Sequence, residues 1–476
     1  MISGKKGSPF FFFYLLYEQI AGWSSLVARR AHNPEVVGSN PTPATNLRLI
    51  NKGKPTMKSL KIILIFISTL ILTNCTDSND EALMKKANEL AQKYIITDGH
   101  IDTPWRMHKG GYEDISVRTP GGDFDYVRAK EGGLDVPFMS IYVPATYQVT
   151  GGAKEKAEEL IGIVERIVSD HPDKFEIAHN VADAERIVLE GKIALPMGME
   201  NGAPLEGDLS NVEYFHGRGI SYITLTHSKD NAICDSSYNL GERTHNGLSA
   251  YGAEVVKEMN RVGIMVDISH VSDDAFYQVM DVTEVPAIAS HSSCRHFTPD
   301  WERNMDDAMI KRLAENGGVI QVNFASYFVD QASKDTKAPI DADVAKYIED
   351  NNLDPNDYAS YDDYKKEQYD KRFLYVSAER VVDHIDHVVN LVGIDHVGFG
   401  SDFDGVGYTL PTDVKGPEGF PIIIYHLLKR GYSERDIAKI CYKNVWRVWQ
   451  ATEDFAKGVC SCGMPKEECT MESCSS

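Results

Sequence analysis

Between residues 94 and 401 the chain repeats one pattern eight times: a short apolar run of strand length, then a helix-like or irregular stretch. The runs are 94–98, 136–143, 193–198, 221–226, 264–269, 287–290, 319–323 and 396–401. Amphipathic segments such as 154–169 and 250–262 read as intervening helices. Strand and helix alternating in this way imply a parallel sheet. Eight strands in about 360 residues suit a closed (β/α)8 TIM barrel better than the alternative, an open doubly wound sheet. The polar residues narrow the choice. His100, Glu200, His227, His270, His291 and Asp402 each come one or two residues after one of the runs, and a barrel gathers such positions on one face around one centre. Between strands seven and eight, residues 327–372 are rich in Asp, Glu and Tyr. They read as an acidic, partly helical insertion, either a solvated loop or a lid over the barrel mouth.

The chemistry starts in the stretch TDGHIDTPW. His100 and Asp102 are two apart, so on an extended segment they point to the same side. Glu200 closes an apolar strand, where a carboxylate is costly unless it meets a cation. His270 and His291 stand at the ends of two further strands. Three histidines, one aspartate and one glutamate are a donor set that suits zinc. Two ions sharing Glu200 and one water fit the inventory, with His100, Asp102 and Glu200 around one and Glu200, His270 and His291 around the other. Bridging would bring the shared water's pKa toward neutrality and make hydroxide available.

Three further residues complete the candidate site. His227 ends the fourth run and is placed to hydrogen-bond a carbonyl oxygen under attack. Arg303, in the segment after His291, suits a substrate carboxylate. Asp402 ends the last strand, where it is placed to take the water's proton and pass it to a leaving amine. Asp404 reads as a loop-capping residue, and His216, His296, His384, His387 and His396 as structural or exposed histidines.

The formal charge is −21; residues 1–56 hold seven basic and two acidic residues, so the chain from Met57 carries −26. So acidic a surface repels phosphate and argues against nucleic acid as the partner. Residues 1–56 do not read as a domain. Their string GWSSLVARRAHNPEVVGSNPTPAT resembles the translation of a transfer-RNA gene upstream of a true start, and Met57 reads as that start; a genuine extension is the alternative. Residues 57–74 have a basic beginning at Lys58 and Lys61, then an apolar stretch from Ile62 to Leu72, as in a signal peptide. Leu72-Thr73-Asn74-Cys75 resembles a bacterial lipobox, with Cys75 lipidated. A plain secretion signal and an uncleaved anchor are the alternatives, and all three place the protein outside the cytoplasm, in the cell envelope. Residues 75–90 read as a tether and 91–455 as the barrel domain. The tail 456–476 holds Cys460, Cys462, Cys469 and Cys474, compatible with two disulfides in any of three connectivities, a small metal site, or unpaired thiols.

In their joint order, DGHIDTP, GMENG, TLTHSKDN, VDISHVS, SHSSCRHFTPDWERNMDD and GFGSDFDGV make residues 94–448 resemble the membrane (renal) dipeptidase family of zinc peptidases. The resemblance implies a (β/α)8 barrel and a binuclear zinc centre held by His100, Asp102, Glu200, His270 and His291. It implies substrate contacts from His227 and Arg303 and an acid/base role for Asp402. The implied activity is hydrolysis of dipeptides, often with a D-residue at the second position, and in some members opening of carbapenem-type β-lactams. A homodimer is compatible with it. The acidic insertion, the cysteine-rich tail and the stretch around Cys234 depart from the family pattern, and no disulfide pairing is carried over. Two other functions fit the same residues: another amidohydrolase, such as an N-acyl amino acid deacylase, or a binding lipoprotein without catalysis.

Overall fold

In a computed structural model the chain is described for residues 79–458, apart from 240 and 356. Eight parallel strands close a barrel in the order β1-β10-β9-β8-β7-β6-β5-β2. They are β1 (Ile96–Ile101), β2 (Leu134–Tyr142), β5 (Met197–Glu200), β6 (Ile220–Thr224), β7 (Met265–Asp267), β8 (Ile288–Ala289), β9 (Val319–Val322) and β10 (Val397–Phe399). A side sheet pairs β3 (Phe175–Glu176) with β4 (Ile193–Ala194). The doubly wound alternative is thereby excluded.

Two strand assignments need correction. The run 193–198 is not one strand: Ile193 and Ala194 leave for the side sheet, and only from Met197 does the chain join the barrel. Pro196 lies at the break and has no N–H to give a ladder; its carbonyl accepts from the Met139 N–H at 2.8 Å. The first strand ends at Ile101, not at Asp98, so His100 lies within it. The pairing of β1 with β2 shifts register between Asp98 and Ile101.

The period of two along each strand divides the residues between two environments. Met139, Ile141, Ile223, Val266, Ala289, Ile320 and Val322 join the cluster shared with the surrounding helices. Their neighbours Val136, Phe138, Tyr222, Met265, Ile288 and Val319 form a second cluster with Trp446, Val448 and Trp449 of the helix Asn444–Ala456. That helix closes one end of the barrel, with Trp446 Nε1 donating to Thr97 Oγ1 at 2.9 Å. Further along the same inward rows come Ser140, Glu200, Thr224, Asp267, Ser290 and Asn323, all buried and polar. The barrel is therefore apolar at the amino ends of its strands and polar at the carboxyl ends, where barrel enzymes place their chemistry.

The segment 79–93, part of which was expected as tether, is helical and buries Ala87, Leu90 and Ala91 in the main core. The expected insertion is folded: helices Gln331–Asp350 and Asp362–Arg372 enclose a small core of Ile340, Val344, Tyr361, Tyr369 and Phe373. Cys234, Cys294 and Cys441 are free and buried. Cys75 and the four tail cysteines lie outside the described residues, as do residues 1–78. No helix among the described residues is long and apolar enough to cross a membrane.

Candidate metal centre and active site

All five expected ligands converge at the polar end of the barrel, with Glu200 in the middle. Glu200 Oε1 lies 3.0 Å from His270 Nε2, 3.4 Å from His291 Nε2 and 3.5 Å from His227 Nε2. Its Oε2 lies 3.4 Å from His100 Nε2, which is itself 3.5 Å from Asp102 Oδ2. His100 and Asp102 meet as expected, although the strand ends at Ile101 and Asp102 already begins the following helix. The structure also adds to the expected sets. Three groups have donor atoms close enough to share an ion: His100, Glu200 and His291; Glu200, His227 and His270; and His100, Asp102 and Asp402. His227 and Asp402, expected only as catalytic neighbours, thus stand within the cage itself.

The cage fits a cation. Tyr222 donates to the Gly99 carbonyl at 3.1 Å, so its oxygen accepts the Nδ1–H of His100 at 2.8 Å. Ser290 Oγ donates to Asp267 Oδ2 at 2.7 Å and so accepts the Nδ1–H of His291 at 2.8 Å. These patterns leave the Nε2 lone pairs of His100 and His291 facing inward. The Nε2 atoms of His270 and His291 stand 2.8 Å apart. His100 Nε2 and Asp102 Oδ1 are buried in the cage without hydrogen-bond partners, a costly condition unless a positive ion is shared.

Burial and neighbouring charges act differently on the individual groups of the cage. Burial opposes charge on His100, but Tyr222, Glu200 and Asp102 outweigh it and hold its pKa well above the usual imidazole range. Burial pushes His291 well below that range, helped by His100, and His270 likewise, helped by Arg303. Glu200 is held well below the carboxylate range: burial opposes this, but His100 and His227 prevail. Asp402 goes the other way, held well above the range by burial and then by Asp102 and Glu200.

Backbone strain is concentrated here. His270, Asp402, Asn201 and Asp404 have φ of 70°, 65°, 82° and 66°, each a left-handed geometry that non-glycine residues adopt at a cost of about 1–3 kcal/mol. Asp402 Oδ2 accepts from Asn323 Nδ2 at 2.7 Å. Asp404 caps its loop as expected, accepting the Asp123 N–H at 2.6 Å and the Thr103 hydroxyl at 2.6 Å. Gly405 must lack a side chain: a Cβ there would stand 2.1 Å from Asp102 Oδ2 and 2.2 Å from Asp402 Oδ1.

Arg303 is 2% exposed, yet it is not the surface ion pair that an arginine ordinarily makes. It donates to Ser292 Oγ at 2.7 Å and to the His291 carbonyl at 2.9 Å, both neutral, and its Nε has no partner. It lines a cavity of about 790 Å³ whose floor is the cage; Trp105, Tyr142, Tyr238, Tyr327 and Tyr358 are among its walls. The insertion therefore reaches the mouth. The histidines read as structural or exposed, His216, His296, His384, His387 and His396, stay outside: His384, for example, is buried between the Cys294 N–H and the Val329 carbonyl.

Tyr222, Asp267, Ser290 and Asn323 were missed because they lie within runs whose apolar character dominated. Asp267 carried a usable signal, since a carboxylate inside a buried strand needs partners. It accepts from the N–H groups of Ser269 and Ser290 and from the hydroxyls of Thr224 and Ser290.

A closed parallel barrel with this cage at its carboxyl rim defines a metal-dependent barrel hydrolase. Comparisons narrow the class. Residues 84–461 match the family described as membrane dipeptidase (peptidase family M19), and the chain belongs to that family. It is thus an enzyme of the metallo-dipeptidase type. It is 32% identical over 376 residues to dipeptidase tcpJ of Claviceps purpurea, covering 75% of this chain and 77% of that one. With dipeptidase ataJ of Aspergillus terreus it shares 30% over 417 residues, 80% of this chain and 90% of the other. Among solved structures, the probable dipeptidase PvdM of Pseudomonas aeruginosa matches with a TM-score of 0.68 and 29% identity, over 79% of this chain and all of that one. A Rhodobacter sphaeroides metallopeptidase, bound to a phosphinate mimic of L-Ala-D-Ala, shares the fold at 24% identity and a TM-score of 0.62, over 75% of this chain and 99% of that one.

Proposed function

We propose that this protein hydrolyses the peptide bond of free dipeptides, with two zinc ions that the Glu200-centred cage would hold. The observation that carries the reading is the pairing, in one cavity, of the Glu200-centred cage with a buried Arg303 whose named partners are neutral. A free carboxylate on the substrate would complete Arg303 with a charge-assisted pair. Zinc would be held by His100, Asp102, Glu200, His270 and His291, and would supply Lewis acidity and hydroxide from water at neutral pH.

The remaining work falls to the protein's own groups. Burial holds His227 below the usual imidazole range, so it is neutral and able to donate to the carbonyl oxygen as negative charge develops there. Asp402, at the cage edge and oriented by Asn323, takes the proton of the attacking water and returns it to the leaving amine. Arg303 fixes the distance from the carboxyl terminus to the scissile carbonyl, which restricts the site to short substrates.

An assay of free dipeptides beside N-acetyl amino acids tests the reading. Cleavage of the former with zinc, and its loss with a chelator, is expected; activity only on the latter would make the enzyme a deacylase. Export and lipid anchoring through Cys75 are part of the same proposal, supported by the apolar stretch and the Leu72-Thr73-Asn74-Cys75 sequence. Cys75→Ala should move the protein from the membrane fraction to the soluble fraction, and an unchanged distribution would remove the anchor.

A further inference from the structure

We infer that Asp123, which stands outside the cage, is a positioning residue for Asp402: together with Arg106 it clamps the turn 402–405 and so keeps the Asp402 carboxylate at the cage. The inference rests on the acid/base role proposed for Asp402. The turn needs a clamp. Asp402 and Asp404 have φ of 65° and 66°, and residues strained in this way persist only where their surroundings over-determine them. Within the turn, the Gly405 N–H donates to the Asp402 carbonyl at 3.0 Å and the Phe403 N–H to Ser401 Oγ at 3.2 Å. Its first half is stitched to the end of β1. There the Asp402 N–H donates to the His100 carbonyl at 3.1 Å, and the Phe403 carbonyl accepts from the Asp102 N–H at 2.8 Å. Its second half is held from outside the barrel strands.

That support comes from the segment between the helices Thr103–Gly110 and Tyr126–Gly132. Asp123 and Asp404 exchange a reciprocal pair of hydrogen bonds. The Asp404 N–H donates to Asp123 Oδ2 at 2.8 Å, and the Asp123 N–H donates to Asp404 Oδ1 at 2.6 Å. Two bonds between the same two residues fix a direction as well as a distance. The other oxygen of Asp404 is secured from the helix: Thr103 Oγ1 donates to Oδ2 at 2.6 Å, and Arg106 Nε lies 3.1 Å from it. Arg106 also holds the segment that delivers Asp123, through Nη1 to Glu113 Oε2 at 2.5 Å and Nη2 to the Phe124 carbonyl at 3.3 Å. One arginine thus meets both sides of the contact. The Asp404 side chain is fully buried, so loosening these partners is costly. Asp123 belongs to none of the groups able to share an ion among the described residues, and it is not part of the cavity lining. It reaches the chemistry only through the turn.

The test is a double-mutant cycle on the full zinc-loaded protein, with Ala-Ala hydrolysis and zinc content measured together. Asp123→Ala should lower kcat by about 10–100-fold, the scale on which a small misplacement of a reacting group is felt, with KM and zinc content unchanged. Asp123→Asn, which keeps an oxygen for the Asp404 N–H, should restore most of that loss. In an Asp402→Asn background, Asp123→Ala should lower kcat no further, because residues that act as one unit are not additive. Arg106→Lys, which keeps the charge and gives up the fork, carries the same cycle if Asp123→Ala does not fold. An undiminished kcat in the single variant, a loss that tracks lost zinc, or an equal further loss in the Asp402→Asn background would overturn the inference and leave the dipeptidase reading in place. No hydrolysis by the unaltered protein, or full turnover in Asp402→Asn, would overturn the underlying reading and this inference with it.

Discussion

The two halves of the cage are built differently. His100 and His291 each have an outer nitrogen tied to a hydroxyl, Tyr222 in one case and Ser290 in the other, and each hydroxyl is tied onward to a backbone carbonyl or to Asp267. His227 and His270 each have a buried Nδ1 without a partner. They are positioned by packing instead, with ring centroids 4.3 Å apart and with Tyr142 and Tyr238 against their outer faces at 4.7 Å and 5.8 Å. Hydrogen bonds fix a tautomer as well as a direction, whereas packing fixes direction alone. The comparison teaches that the His100 and His291 side is preorganised to offer lone pairs, and the His227 and His270 side is the more adaptable. The ion that takes His100 should be held more tightly than the one that takes His270.

The largest effect should come from removing what the halves share. Glu200→Gln is expected to lower zinc content on both sides and to reduce turnover by about three orders of magnitude or more, since it removes the one charge common to the overlapping groups. Metal analysis beside a rate measurement checks this, and full zinc content would show that the halves do not depend on Glu200. Asp402→Asn comes next: zinc content should persist while turnover falls by about 10²–10⁴-fold, the range of acid/base contributions. Full turnover in that variant would remove the role.

Smaller changes separate the halves. Tyr222→Phe removes the hydroxyl that holds His100 and should weaken one zinc by about 10–100-fold, the usual consequence of losing such a partner. Gly198→Ala reaches the same ring from behind, because a Cβ there would stand 1.9 Å from it; its loss of zinc affinity should parallel that of Tyr222→Phe. The least effect on zinc is expected from Tyr238→Phe, which keeps the ring against His270 and removes only the hydroxyl. Zinc titrations of the three variants rank them, and a Tyr238→Phe loss as large as that of Tyr222→Phe would break the asymmetry.

Much of this was legible in the chain. The barrel could be read because its strands are apolar runs spaced by amphipathic helices, and the helix Ala250–Val262 falls where its periodicity placed it. The cage could be read because most of its residues stand at or just past the end of a run. The network behind it was harder. Tyr222 reads as one more aromatic strand residue, and its value to His100 depends on a crossing from β6 to β1 that no local pattern encodes. The split of 193–198 was hidden because both halves are apolar and the partner of β4 lies in a distant two-residue strand. The contact of Lys109 Nζ with the Tyr358 ring depends on how the insertion folds back over the mouth, which its acidic composition does not specify.

Zinc titration of the metal-stripped protein, with dipeptide hydrolysis followed at each addition, tests the central claim most directly. Two equivalents of zinc should bind in separable steps, the tighter step should be the one weakened in Tyr222→Phe, and full hydrolysis should require both. A single equivalent, or full hydrolysis in the stripped protein, would contradict the account.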